Sequence, residues 1–124
     1  MFNDPDGVLY RLPVLFFCIL ALTRPGLSTA AGVEFNRDVR PILAAKCYAC
    51  HGPDGDKRKA DLRLDVREEA VREAIKPGNP EASEFWRRIT SHDADEVMPP
   101  PSSPKPLTQA ERDLFRRWIA EGAE

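Results

Sequence analysis

Two cysteines stand two residues apart with a histidine directly behind the second, in the run Cys47-Tyr48-Ala49-Cys50-His51. No other feature restricts the chain as much. Two intervening residues make a tight, strained disulfide loop, so a pair at this spacing serves redox chemistry or holds a ligand rather than stapling the fold. The third cysteine, Cys18, lies inside an apolar run and reads as a small hydrophobe. With 124 residues the chain has room for one domain, and its 42% apolar and 31% charged residues suit an ordinary globular class.

The N-terminus reads as a secretory leader over residues 1–31, leaving a domain over 32–124. Leu12 to Leu22 is apolar but too short to span a bilayer comfortably, and Pro25-Gly26 then break it. Small residues follow from Ser28 to Ala31, with cleavage expected after Ala30 or Ala31. Asp4 and Asp6 depart from the basic start of a leader, where only Arg11 is positive. Either the true start lies downstream, or the segment is kept as a membrane anchor; cleavage is the favoured reading. A lipidated Cys18 would want a small residue before it, and Phe17 stands there instead. The expected location is therefore the periplasm or cell envelope. The formal net charge of −2 and the dispersed Lys and Arg give nothing that points to nucleic acid.

Beyond the leader the apolar spacing is helical. Leu62-Arg63-Leu64 is the only hint of alternation, too brief for a sheet. A first helix is predicted from about residue 36 to 46, with Phe35, Val39, Ile42 and Leu43 on one face and Pro41 in its first turn or kinking it. A second follows Asp65, read as an N-cap with Glu68 three residues on, and Lys76-Pro77-Gly78-Asn79-Pro80 ends it. A third spans about 81 to 89, burying Ala82, Phe85 or Trp86, and Ile89. The last opens on the capping box Thr108-Gln109-Ala110-Glu111, carries Leu114, Phe115, Trp118 and Ile119 on its apolar face, and stops at Gly122. The expectation is an all-α domain of about four short helices. Its 12 prolines imply long loops between them. The first and last helices should pack on each other, since each has one apolar face and little else exists to cover it.

The C-x-x-C-H run has a specific chemical reading. Two thiols at this spacing on a helical turn can add across the two vinyl groups of one porphyrin edge. The next residue, His51, then points its imidazole under the iron. A small core is marginal below roughly 70–80 residues, so one covalently attached haem c would also supply a staple. Two other readings compete. A thioredoxin-like dithiol wants a strand before the pair and a long helix after it. A zinc site needs four ligands, and the mature chain offers Cys47, Cys50, His51 and His92 at a spacing wrong for a finger. Haem is preferred over both. For the second axial position Met98 is the sole methionine left after the leader, in the restricted run Val97-Met98-Pro99-Pro100-Pro101. A gap-filling role is its bland alternative, and His92 its chemical one, though the neighbours Ser91, Asp93, Asp95 and Glu96 mark His92 as surface. The second ring nitrogen of His51 should find a carbonyl between Lys59 and Leu64.

Several further runs carry a resemblance. They are Phe35-Asn36-Arg37-Asp38-Val39-Arg40-Pro41-Ile42-Leu43, Cys47 through Asp54, Leu62-Arg63-Leu64-Asp65, Pro77-Gly78 with Ser83, Arg88-Ile89, Met98-Pro99-Pro100, and Trp118-Ile119-Ala120-Glu121-Gly122-Ala123. From about Val33 to Ala123 the chain resembles the planctomycete-type cytochrome c domain. The resemblance implies a cytochrome c-like fold around one haem, thioether bonds at Cys47 and Cys50, and iron ligands His51 and Met98. It implies an exported one-electron carrier with a protein redox partner, in contact with membrane only if the N-terminal segment is retained. Such domains usually begin a longer exported protein, so the chain is expected to be a stand-alone carrier or a truncated one. A haem-based redox or ligand-sensing module is the alternative function. No enzymatic constellation stands out, because Asp54, Asp61 and Asp65 read as turn and cap residues. The basic runs Lys57-Arg58-Lys59 and Arg116-Arg117 read as solvated surface, with partner docking as the alternative.

Overall fold

The computed structural model describes residues 31–124. The leader expected over residues 1–31, apart from Ala31, and Cys18 with it, lies outside the described residues. Within them the fold is helical without strands, as the apolar spacing predicted. A π-helical turn (Phe35–Val39) runs straight into α1 (Arg40–Lys46), and α2 (Tyr48–His51) follows after one residue. Then come α3 (Arg67–Glu73), a 3-10 turn (Pro80–Ala82), α4 (Glu84–Thr90) and α5 (Gln109–Ala120). No helix among the described residues is long and apolar enough to cross a membrane.

The entry to the first helix is fastened reciprocally. The Glu34 carboxylate accepts from the Asn36 and Arg37 N–H groups, while Glu34 N–H donates to Asp38 Oδ2 at 2.9 Å. Those N–H groups have no partner inside the helix, so an acidic cap satisfies them. Pro41 sits in the first turn of α1, where its missing N–H costs nothing. At the other end of the chain the predicted capping box is present: Glu111 N–H donates to Thr108 Oγ1 and Thr108 N–H to Glu111 Oε2. Gly122 closes α5 at φ +113°, its N–H on the Ile119 carbonyl and the Ala123 N–H on that of Trp118. That pair of bonds is a Schellman stop, and it tucks Ala123 into the core at 1% exposure.

The two terminal helices meet as expected. Val39, Phe115 and Ile119 are wholly buried, and the Phe35 and Trp118 rings lie 5.7 Å apart. Phe85 of α4 meets Phe115 edge-on at 5.1 Å, a favoured aromatic geometry. Each such buried side chain contributes about 1.5–3 kcal/mol, so this junction is the main apolar anchor.

Three local readings are corrected. Asp65 does not cap α3, because Arg63 holds both its oxygens, and Val66 takes the cap position with no side-chain bond. The predicted third helix is broken at Ser83. Its hydroxyl accepts from the Lys76 N–H and donates to the Asn79 carbonyl, pinning an extended residue between the 3-10 turn and α4. With that break Ala82 is exposed rather than buried, while Phe85 and Ile89 are buried and Trp86 is half-buried.

Candidate cofactor site

Cys47 closes α1 and opens α2, its N–H bonded to the Leu43 carbonyl at 2.8 Å. The Cys50 and His51 N–H groups both return to the Cys47 carbonyl. The whole C-x-x-C-H run is thus one helical turn with both thiols and the imidazole leaving from it. Gly52 then turns the chain away. A Cβ at Gly52 would collide with the Tyr48 carbonyl oxygen, so only glycine lets the chain leave that closely.

The loop from Gly52 to Leu64 folds back over this turn. Lys59 N–H donates to the Cys50 carbonyl and Leu64 N–H to the His51 carbonyl, each at 2.8 Å. Arg58 adds bonds from Nε and Nη2 to the carbonyls of Gly52 and Pro53. The result places the Lys59 carbonyl 3.2 Å from His51 Nδ1, within the segment predicted for it. A carbonyl can only accept, so Nδ1 carries the proton and Nε2 of the neutral ring keeps its lone pair. Burial lowers the His51 pKa, against the opposing pull of the Lys59 and Leu62 carbonyls. The ring is therefore neutral at pH 7, the form that binds metals.

Cys47, Cys50, His51 and Met98 all line one cavity of about 680 Å³, within the roughly 300–1,000 Å³ typical of small-molecule and cofactor sites. Leu62, Leu64, Phe85 and Ile89 contribute to its apolar wall. Met98 comes from the Pro-rich loop after α4, and its N–H donates to the Arg88 carbonyl at 3.0 Å. Lys46 borders the same space, but its ammonium is committed to Glu111 Oε2 at 2.6 Å and to the Pro106 carbonyl at 2.9 Å.

The two thiols are unequal. Cys47 is half-buried, and burial pushes its pKa up to about 12, while Cys50 is exposed. A redox dithiol depends on a depressed thiol pKa, so Cys47 is unlike the nucleophile of such a pair. His92 is exposed and does not line the cavity. Among the described residues no three His, Cys, Asp or Glu side chains are grouped as a metal site. The four residues a zinc ion would need are not brought together.

The donor set suits the haem expected from the motif. Two thiols on one turn, an imidazole whose Nδ1 is held by a carbonyl and a thioether from a separate segment border one apolar space. When bound, haem would supply a one-electron iron couple, and Cys47, Cys50, His51 and Met98 are the residues that would hold it. Sequence reasoning named these four residues. It missed Gly52, whose signal was only a glycine directly after the histidine. It also missed the cavity-lining roles of Arg88 and Lys105.

Residues 47–102 match the family described as Planctomycete cytochrome C. The match opens on Cys47 and includes Met98, and the two terminal helices fall outside it. No curated protein and no solved structure matches the chain.

Proposed function

Because residues 47–102 match the family described as Planctomycete cytochrome C, we propose a one-electron carrier of the cell envelope. It would hold a single haem through thioethers to Cys47 and Cys50, with His51 and Met98 as iron ligands. The observation that carries this reading is the His51 ring, whose Nδ1 lies 3.2 Å from the Lys59 carbonyl while the ring lines one cavity with both thiols. An acceptor on the far nitrogen fixes the orientation of a metal-bound imidazole and raises its basicity.

The chain's own residues then have defined tasks. The α2 turn presents both thiols and the imidazole from one rigid unit, so the axial nitrogen is preorganised. The apolar wall of Leu62, Leu64, Phe85 and Ile89 excludes water and disfavours the more highly charged oxidation state. A thioether donor at Met98 favours ferrous iron relative to a second histidine. Cys50 at the exposed rim marks the edge from which an electron would reach a partner protein.

The test is the absorption spectrum of protein from its native host, together with haem staining after denaturing electrophoresis. Haem that stays with the chain through denaturation, and is lost from the Cys47→Ala, Cys50→Ala double variant, supports the proposal. A colourless protein that binds one zinc ion would overturn it.

A further inference from the structure

Haem brings two carboxylates into any pocket that holds it, on the porphyrin edge away from the vinyl groups. A carboxylate against an apolar wall must be paired or it will take up a proton. Three cations line the cavity, Lys46, Arg88 and Lys105, together with the carboxylates Glu73 and Glu84. Lys46 is already bound to Glu111 and to the Pro106 carbonyl. That second bond also ties the chain next to Lys105 to the residue preceding Cys47.

Arg88 arrives independently, from α4. It is half-buried, with Nε on Glu84 Oε1 at 2.7 Å and Nη1 on the Glu96 carbonyl at 3.3 Å, and Nη2 makes no hydrogen bond among the described residues. Its neighbour Arg87 is exposed and takes the Glu84 and Glu96 carboxylates. The two adjacent arginines thus share the Glu84 carboxylate, but only Arg88 also lines the cavity. An arginine on that wall with an open N–H edge suits a planar carboxylate.

We propose that Arg88 is the cation that holds a carboxylate of the bound haem ionised. The proposal rests on the haem reading above. Arg88 also grips the segment that carries Met98, through its own carbonyl and the Glu96 carbonyl. The test must therefore separate charge from loop position.

The experiment is the midpoint potential of the haem-loaded protein as a function of pH, for the parent, Arg88→Gln, Arg88→Lys and Lys105→Gln. The far-red iron–sulfur band is recorded for each. The parent, Arg88→Lys and Lys105→Gln should give nearly flat curves between about pH 5 and pH 8. Arg88→Gln should gain a sloping segment there, as an unpaired buried carboxylate titrates with a raised pKa. A flat Arg88→Gln curve overturns the proposal, whether or not the far-red band is lost. So does a slope gained by Lys105→Gln instead. If Arg88→Gln does not fold, infrared redox-difference spectra of the parent decide. Haem carboxylates ionised near neutral pH support the assignment, and a protonated-carboxyl band overturns it. A chain that carries no covalent haem defeats the earlier reading and is recognised by staining before any potential is measured.

Discussion

The Lys46 ammonium lies 2.6 Å from Glu111 Oε2, joining the residue before Cys47 to the capping box of the last helix. The same ammonium holds the Pro106 carbonyl, so three segments of the cavity's frame converge on one charge. Both side chains are largely buried, at 16% and 21% exposure, so the pair is screened less than a surface salt bridge.

That pair predicts an acid-sensitive frame. Burial pushes the Glu111 carboxyl up, but Lys46 and the Thr108 N–H outweigh burial and hold its pKa below the usual value. A depressed folded-state pKa contributes stability that is present above the unfolded carboxylate pKa and is lost as pH falls through the folded one. Urea unfolding followed from neutrality into the acid range should show this loss, and Glu111→Gln should flatten it. Lys46→Met should cost about 1–3 kcal/mol at pH 7, since it leaves Glu111 without its cation. An unchanged acid limb in Glu111→Gln would assign the effect to other carboxylates.

Trp118 is 5% exposed and packs on Phe35, with its Nε1–H on the Glu124 carbonyl at 2.9 Å. Trp118→Ala should destabilise the folded chain by about 3–5 kcal/mol. Trp118→Phe keeps most of the apolar contact and removes the hydrogen bond, for a loss nearer 1 kcal/mol from that bond. Chemical denaturation of the two variants against the parent checks the ratio.

Gly52→Ala should reduce the yield of haem-loaded protein sharply, by a strain of about 1–3 kcal/mol on the turn that carries both thiols. The new methyl meets the Tyr48 backbone, which cannot swing aside as a side chain would. Gly55→Ala is the control, since nothing lies within 4 Å of its Cβ. Equal loading of the two variants would remove the steric argument.

Met98→Ala should abolish the far-red band of the ferric protein, admit cyanide or carbon monoxide, and lower the midpoint potential. The haem should remain attached, because Cys47 and Cys50 are untouched. His92→Ala should leave the spectrum unchanged, as an exposed residue outside the cavity. A spectrum that changes with His92→Ala and not with Met98→Ala would make the carrier a bis-histidine cytochrome.

Much of this was legible before any coordinates. The capping box at Thr108 and Glu111, the Gly122 stop and the Pro41 first turn each depend on residues within a few positions of one another. Local chemistry alone decides such features. Phe35, Val39, Phe115 and Trp118 were legible for a related reason: a helical period leaves an apolar face that must be covered. The C-x-x-C-H spacing belongs to the same class, since one turn of helix presents all three groups.

Tertiary structure decided what competing partners left open. Asp65 had the composition of a cap, but Arg63 claimed it, and a side chain has only one place to be. Ser83 looked like helix interior until the carbonyl of Asn79 and the N–H of Lys76 took its hydroxyl. Cys47 and Cys50 are the same residue three positions apart, yet one is half-buried and the other exposed, because a helical turn presents them to different surroundings. Arg87 and Arg88 are likewise adjacent, and only packing sends one outward and the other to the cavity wall. Sequence by itself singled out Cys47, Cys50, His51 and Met98, and the folded chain brings all four to one cavity. The sequence placed the acceptor for His51 between Lys59 and Leu64, and only the folded chain chose the Lys59 carbonyl, because the loop's path is fixed by its backbone bonds to Cys50 and His51.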